Sequence, residues 1–147
     1  MKNQVLSIEQ MQHLQELGVD TSKASCAYYA FYESEPNYYE LRIRDSALEI
    51  DSQTIPFIPT FTLQDMLEMI PYEIRDYFSD NSIFPQSATL KIIPFSDNKY
   101  IIKYVELKHY WGIYESENSS DLLTCAYETL CWLAENEFIG GNDEKRD

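Results

Sequence analysis

The sequence predicts an α+β fold: an antiparallel sheet of about five strands with helices packed on one face. Three observations carry this. Residues 119–141, SSDLLTCAYETLCWLAENEFIGG, read as one helix with a wide apolar stripe, and such a stripe must lie on something. The strand-like runs are joined by short turns rather than by crossover helices. The helices fall at the margins of those runs, in the order α-β-β-(β)-α-β-β-β-α, which favours sequential antiparallel pairing with a helical cover.

The first helix is expected over about residues 8–17. Ser7 and Gln10 stand in the S-x-x-Q capping-box relation, Leu6 can staple onto Met11, and Gly18 closes the run. Ile8, Met11, Leu14 and Leu17 form its narrow buried face. After a polar link, CAYYAFYE (Cys26 to Glu33) reads as a strand aromatic on both sides. Pro36 and Asn37 turn the chain, and Tyr39, Leu41 and Ile43 alternate with Glu40, Arg42 and Arg44 as a half-buried partner strand. A shorter strand around Leu48 to Ile50 follows.

Ile55 to Pro59, IPFIP, is too rich in proline for a central strand and is expected to cross the fold as extended chain. Thr62 and Asp65 repeat the capping device of the first helix, with Phe61 and Met66 as staple. Leu63, Met66, Leu67 and Ile70 supply the buried face, and Pro71 interrupts it. Tyr72 to Phe78 reads as a further short turn of helix, and Ser79 to Ser87 as loop. Ala88 to Ile93 and Tyr100 to Leu107 are strands around the hairpin turn Ser96-Asp97-Asn98, and His109 to Glu115 is a third strand. In the terminal helix, Ser119 or Ser120 caps and Asp121 meets the positive end of the dipole. Leu122, Leu123, Ala126, Tyr127, Leu130, Leu133 and Ala134 draw the stripe, and Gly140 and Gly141 allow the left-handed stop.

The chain, 147 residues long, reads as a single domain, with residues 142–147 a polar tail. It lacks a signal-peptide pattern and a membrane-length apolar run, so a soluble, cytoplasmic protein is expected, with no membrane contact. Cys26, Cys125 and Cys131 are odd in number and contain no CxxC, which argues against a disulfide framework. Eleven Lys and Arg against 25 Asp and Glu give a net charge of −14. Acid exceeds base 8 to 4 in residues 1–50, 7 to 3 in 51–100 and 10 to 4 in 101–147. Direct binding to a nucleic-acid backbone needs clustered cations, and the sequence shows no cluster.

Chemistry-bearing patterns are sparse. His13 pairs with Glu16 on the first helix as an ordinary exposed pair, and His109 alternates with Trp111 and Ile113 as a half-buried sheet residue. There is no G-x-S-x-G, P-loop or G-x-G-x-x-G. Glu33 with Glu35 and Glu115 with Glu117 make carboxylate pairs, and a solvated rim is the default for each. No catalytic residue, metal ligand or cofactor is expected. The tyrosines say more: rings left on an uncovered sheet face make a protein-binding surface, and Tyr28, Tyr32, Tyr38, Tyr104, Tyr110 and Tyr114 are its candidates.

The blocks VLSIEQMQHLQELGVDTSKAS, IPTFTLQDMLEMIP and LLTCAYETLCWLAENEFI resemble, in the same order, a group of small uncharacterised proteins encoded by bacterial phages and integrated mobile elements. The resemblance implies a mobile-element setting and a shared fold, with no activity or functional residues to carry over. The expected function is therefore a non-catalytic binding protein acting through an unknown protein partner, with a homodimer as a further expectation. The alternatives are an acidic DNA mimic that inhibits a nuclease or DNA-binding protein, and a small enzyme with a pocket gathering His109 with cysteines or carboxylates.

Overall fold

A computed structural model describes residues 4–32, 34–35, 37–46, 49, 55–77, 86–95, 97–108 and 110–139. Among the described residues three helices, α1 (Ile8–Glu16), α2 (Leu63–Met69) and α3 (Leu122–Glu135), combine with seven strands. The strands are β1 (Cys26–Tyr29), β2 (Glu40–Ile43), β3 (Phe57–Thr60), β4 (Glu73–Tyr77), β5 (Gln86–Phe95), β6 (Lys99–Glu106) and β7 (Gly112–Glu115). The fold is α+β, and every strand pairing among the described residues is antiparallel. The strands divide into two sheets, ordered β2-β1-β3 and β4-β5-β6-β7.

The capping boxes written in the sequence are realised in α1 and α2. In α1 Gln10 N donates to Ser7 Oγ at 3.1 Å and Ser7 N donates to Gln10 Oε1 at 2.9 Å, so both halves of the capping box are closed. Gly18 follows at φ 89°, the left-handed conformation that glycine adopts without a Cβ clash. α2 has the same box between Thr62 and Asp65. In α3 the cap is Asp121, which accepts from Leu123 N at 3.0 Å, while Ser119 Oγ supports Asp121 N one step earlier. The stop also differs from expectation. Glu137 takes the left-handed position at φ 62° and closes a Schellman motif, with Phe138 N bonded to Leu133 O and Glu137 N to Ala134 O. The two glycines expected to end this helix, Gly140 and Gly141, lie outside the described residues.

The strand region departs further from the local reading. β1 ends at Tyr29, four residues short of Glu33, and β2 is an edge whose Ile43 is 70% exposed rather than buried. IPFIP is not plain extended chain: its second half forms β3, with Pro59 opposite Ala27. Proline is tolerated because β3 pairs with only one strand, which leaves one backbone side free of ladder bonds. Residues 73–77 form strand β4, where a turn of helix was expected, because β5 offers a long-range partner that no local signal announces. Of the short strand around Leu48 to Ile50, Glu49 is helical and the other two residues lie outside the described set. Of the Ser79–Ser87 loop, Gln86 and Ser87 belong to β5, and the remainder lies outside it too. The β5–β6 hairpin is as expected, with Asp97 at φ 63° and Asn98 at φ 60° making the turn.

The core lies between α3 and the second sheet. Leu123, Cys125, Ala126, Leu130, Leu133 and Ala134 of α3 are buried, and they meet Ile74, Ala88, Ile102 and Tyr104 from β4, β5 and β6. α2 packs beside α3, while α1 joins it to the first sheet through Leu6, Met11 and Leu14. Between α1 and β3, Leu6 O accepts from both Thr60 Oγ1 at 2.7 Å and Tyr28 OH at 2.8 Å, so no buried polar group is left alone there. Buried Asp65 links α2 to β1 by accepting from Ser25 N, Ser25 Oγ and Thr62 N.

Candidate functional site

The six candidate tyrosines do not form one surface. Strand alternation sends even-numbered residues of β6 toward α3, so Tyr104 is fully buried and Tyr114, its cross-strand partner, is half-buried beside it. The Trp132 ring of α3 stacks on both, with centroids 5.8 Å and 4.6 Å away. Tyr104 OH donates to Pro71 O at 2.5 Å, and the Tyr114 hydroxyl sits 3.3 Å from Thr129 Oγ1. Burial pushes the Tyr104 hydroxyl well above the ordinary tyrosine range and Tyr114 up to about 12. Both rings are corrections to the expected surface, because α3 covers the sheet face they occupy. Tyr28 is half-buried at the junction with α1.

Tyr32, Tyr38 and Tyr110 remain exposed. Tyr32 and Tyr38 pair ring to ring at 5.8 Å beyond the ends of β1 and β2. Tyr110 stands in the β6–β7 turn and is 80% exposed, with Trp111 at 62% and Leu107 at 49%. Trp111, expected within a strand, is therefore a turn residue, and His109 lies outside the described residues.

The turn is built to hold these side chains out. Glu106 N donates to Trp111 O at 2.7 Å, Tyr110 N donates to Glu106 O at 2.9 Å, and Lys108 N donates to Glu106 Oε1 at 2.8 Å. Glu106 is itself buried and anchors the turn from below. The geometry forces Tyr110 into the left-handed region at φ 60°, where a bulky side chain costs about 1–3 kcal/mol. Strain of this kind persists only where the surroundings over-determine it. The sequence signal available in advance was the HYWG run, which reads as strand by propensity. The structure instead ends β6 at Glu106 and begins β7 at Gly112, which leaves Tyr110 and Trp111 in the turn between them.

Other groups offer less chemistry. Cys26 and Cys125 are buried and Cys131 is half-buried; burial pushes all three thiols up, away from the nucleophilic thiolate. His13 Nδ1 lies 4.0 Å from Glu16 Oε2 on an exposed helix face. Among the described residues no three His, Cys, Asp or Glu side chains converge as metal ligands would. Arg44 grips Glu49 through two bonds of 2.8 and 2.7 Å, and Tyr29 OH donates to the same carboxylate at 2.9 Å. The guanidinium beside it holds the Glu49 carboxyl below the usual glutamate range. This clamp ties the end of β2 to the segment after it, a structural task. No helix of the described residues is long and apolar enough to cross a membrane. Compared with known proteins, the chain matches no family model, and no curated protein and no solved structure is significantly similar to it.

Proposed function

We propose that this chain is a non-catalytic binding protein that works by protein–protein contact through the β6–β7 turn. The observation that carries the reading is the joint exposure of Leu107, Tyr110 and Trp111 on one short turn. Tryptophan and tyrosine are the residue types that dominate binding hot spots, and a turn braced by backbone bonds presents them with little ordering entropy left to lose. The resemblance of the helical blocks to phage and mobile-element proteins supports a mobile-element setting for that contact.

The test is affinity capture of tagged wild type from its native cells beside the double variant Tyr110→Gly, Trp111→Ala. Glycine at 110 relieves the positive φ, so the variant keeps the turn while losing both rings. A partner retained by wild type should bind the variant at least about 30-fold more weakly, the size of a hot-spot loss. Equal recovery of the same proteins by both forms would sink the reading.

A further inference from the structure

We infer that the face of the four-stranded sheet turned away from α3 docks a second copy of this chain. The few cations of this acidic protein are unevenly placed. By strand alternation Lys91, Lys99 and Lys103 stand on that one face, and Arg75 reaches Glu73 of the same face at 3.4 Å, against Lys23, Arg42, Arg44 and Lys108 elsewhere among the described residues. Two chains of net charge −14 repel one another over most approaches, and this face is where the repulsion is locally cancelled. Lys91 and Lys103 are directly opposed on β5 and β6, an arrangement unfavourable in an isolated sheet. Among the described residues neither forms an ion pair.

The complementary charge is on the same face. Glu115 of β7 is the cross-strand neighbour of Lys103. Beside it opens a shallow hollow of about 420 Å³, bordered by Phe95 and Ile101, by the polar Ser116 and Asn118, and by the carboxylate-bearing Glu115 and Glu117. Apolar side chains and carboxylates side by side suit the alkyl stem and ammonium of a lysine. A patch that holds both the projecting lysines and the receiving hollow is self-complementary, which is what a two-fold contact between identical chains requires. A two-fold axis running along the strands between β6 and β7 lays Lys103 over the partner's Glu115, with Lys91 flanking it from the next strand. A nucleic-acid strand fits less well, because Glu73 and Glu115 interrupt the cations on this face.

Sedimentation equilibrium of the full chain tests this. Wild type should show a monomer–dimer equilibrium that weakens as salt rises. The pairs Lys91→Glu with Lys103→Glu, and Glu115→Lys with Glu117→Lys, should each weaken it at least about tenfold, and an equimolar mixture of the two reversed proteins should recover a dimer. Circular dichroism melts confirm folding; should a reversed protein fail to fold, Lys91→Gln with Lys103→Gln reads the same weakening. A wild type that stays monomeric at every concentration overturns the inference, as does dimerisation undiminished in the variants. Wild type that binds a single-stranded oligonucleotide through Lys91 and Lys103 in place of a second copy overturns it as well.

Discussion

The two faces of the β4–β7 sheet are made by the same strands and have opposite characters. On one, Ile102, Tyr104 and Tyr114 lie under α3 with Trp132 stacked on the rings. On the other, one residue along in each strand, stand Lys91, Lys103 and Glu115. The difference teaches that a tyrosine count says little until strand parity and helix placement are known. Tyr104 is a core residue because its position is even on β6, whereas Tyr110 is a surface residue because it stands in the turn between β6 and β7.

Substitution should separate the two sides most sharply. Leu130→Ala, under α3, should cost about 2–5 kcal/mol in urea unfolding, whereas Lys91→Ala on the opposite face should stay within about 0.5 kcal/mol of wild type. A large loss from the lysine change would mean that this face is packed rather than presented. Next in size is an alkaline effect to which the covered face contributes, beside the raised hydroxyls of Tyr28, Tyr29 and Tyr127. The unfolded chain ionises tyrosine near pH 10, while Tyr104 and Tyr114 stay neutral to higher pH in the folded protein. The unfolded state therefore binds fewer protons between about pH 10 and pH 12, and stability falls as pH rises through that window. Tyr114→Phe should flatten this decline in melts recorded across the range, and an unchanged slope would remove Tyr114 from the account. Smallest is the stop of the covering helix. Glu137→Gly should raise stability by about 0.5–1 kcal/mol, because glycine holds φ 62° without strain, and calorimetry would read it as a modest rise in Tm.

How much was legible follows the reach of each interaction. The Ser7–Gln10 and Thr62–Asp65 boxes were readable because donor and acceptor lie three residues apart. The buried stripe of α3 was readable for the same reason, apart from Thr129, whose hydroxyl hides within it by donating to Cys125 O. β3 and β4 were misread because their partners, β1 and β5, lie tens of residues or a reversal of the chain away, and proline or short alternation outweighed that partner in a local window. The candidate surface was half legible: Tyr32, Tyr38 and Tyr110 are exposed, while Tyr28, Tyr104 and Tyr114 are held by α1 or α3.

By itself, then, the sequence determined the α+β class, the antiparallel pairing, the helices α1, α2 and α3 with the capping boxes of the first two, and the excess of acid, since each is set by neighbours in the chain or by composition alone. The tertiary structure decided that the strands form two sheets, which tyrosines are core, and that Lys91, Lys99 and Lys103 share a face although acid outnumbers base in every third of the chain. Those outcomes depend on register between distant strands, where a slip of one residue sends every side chain to the other side.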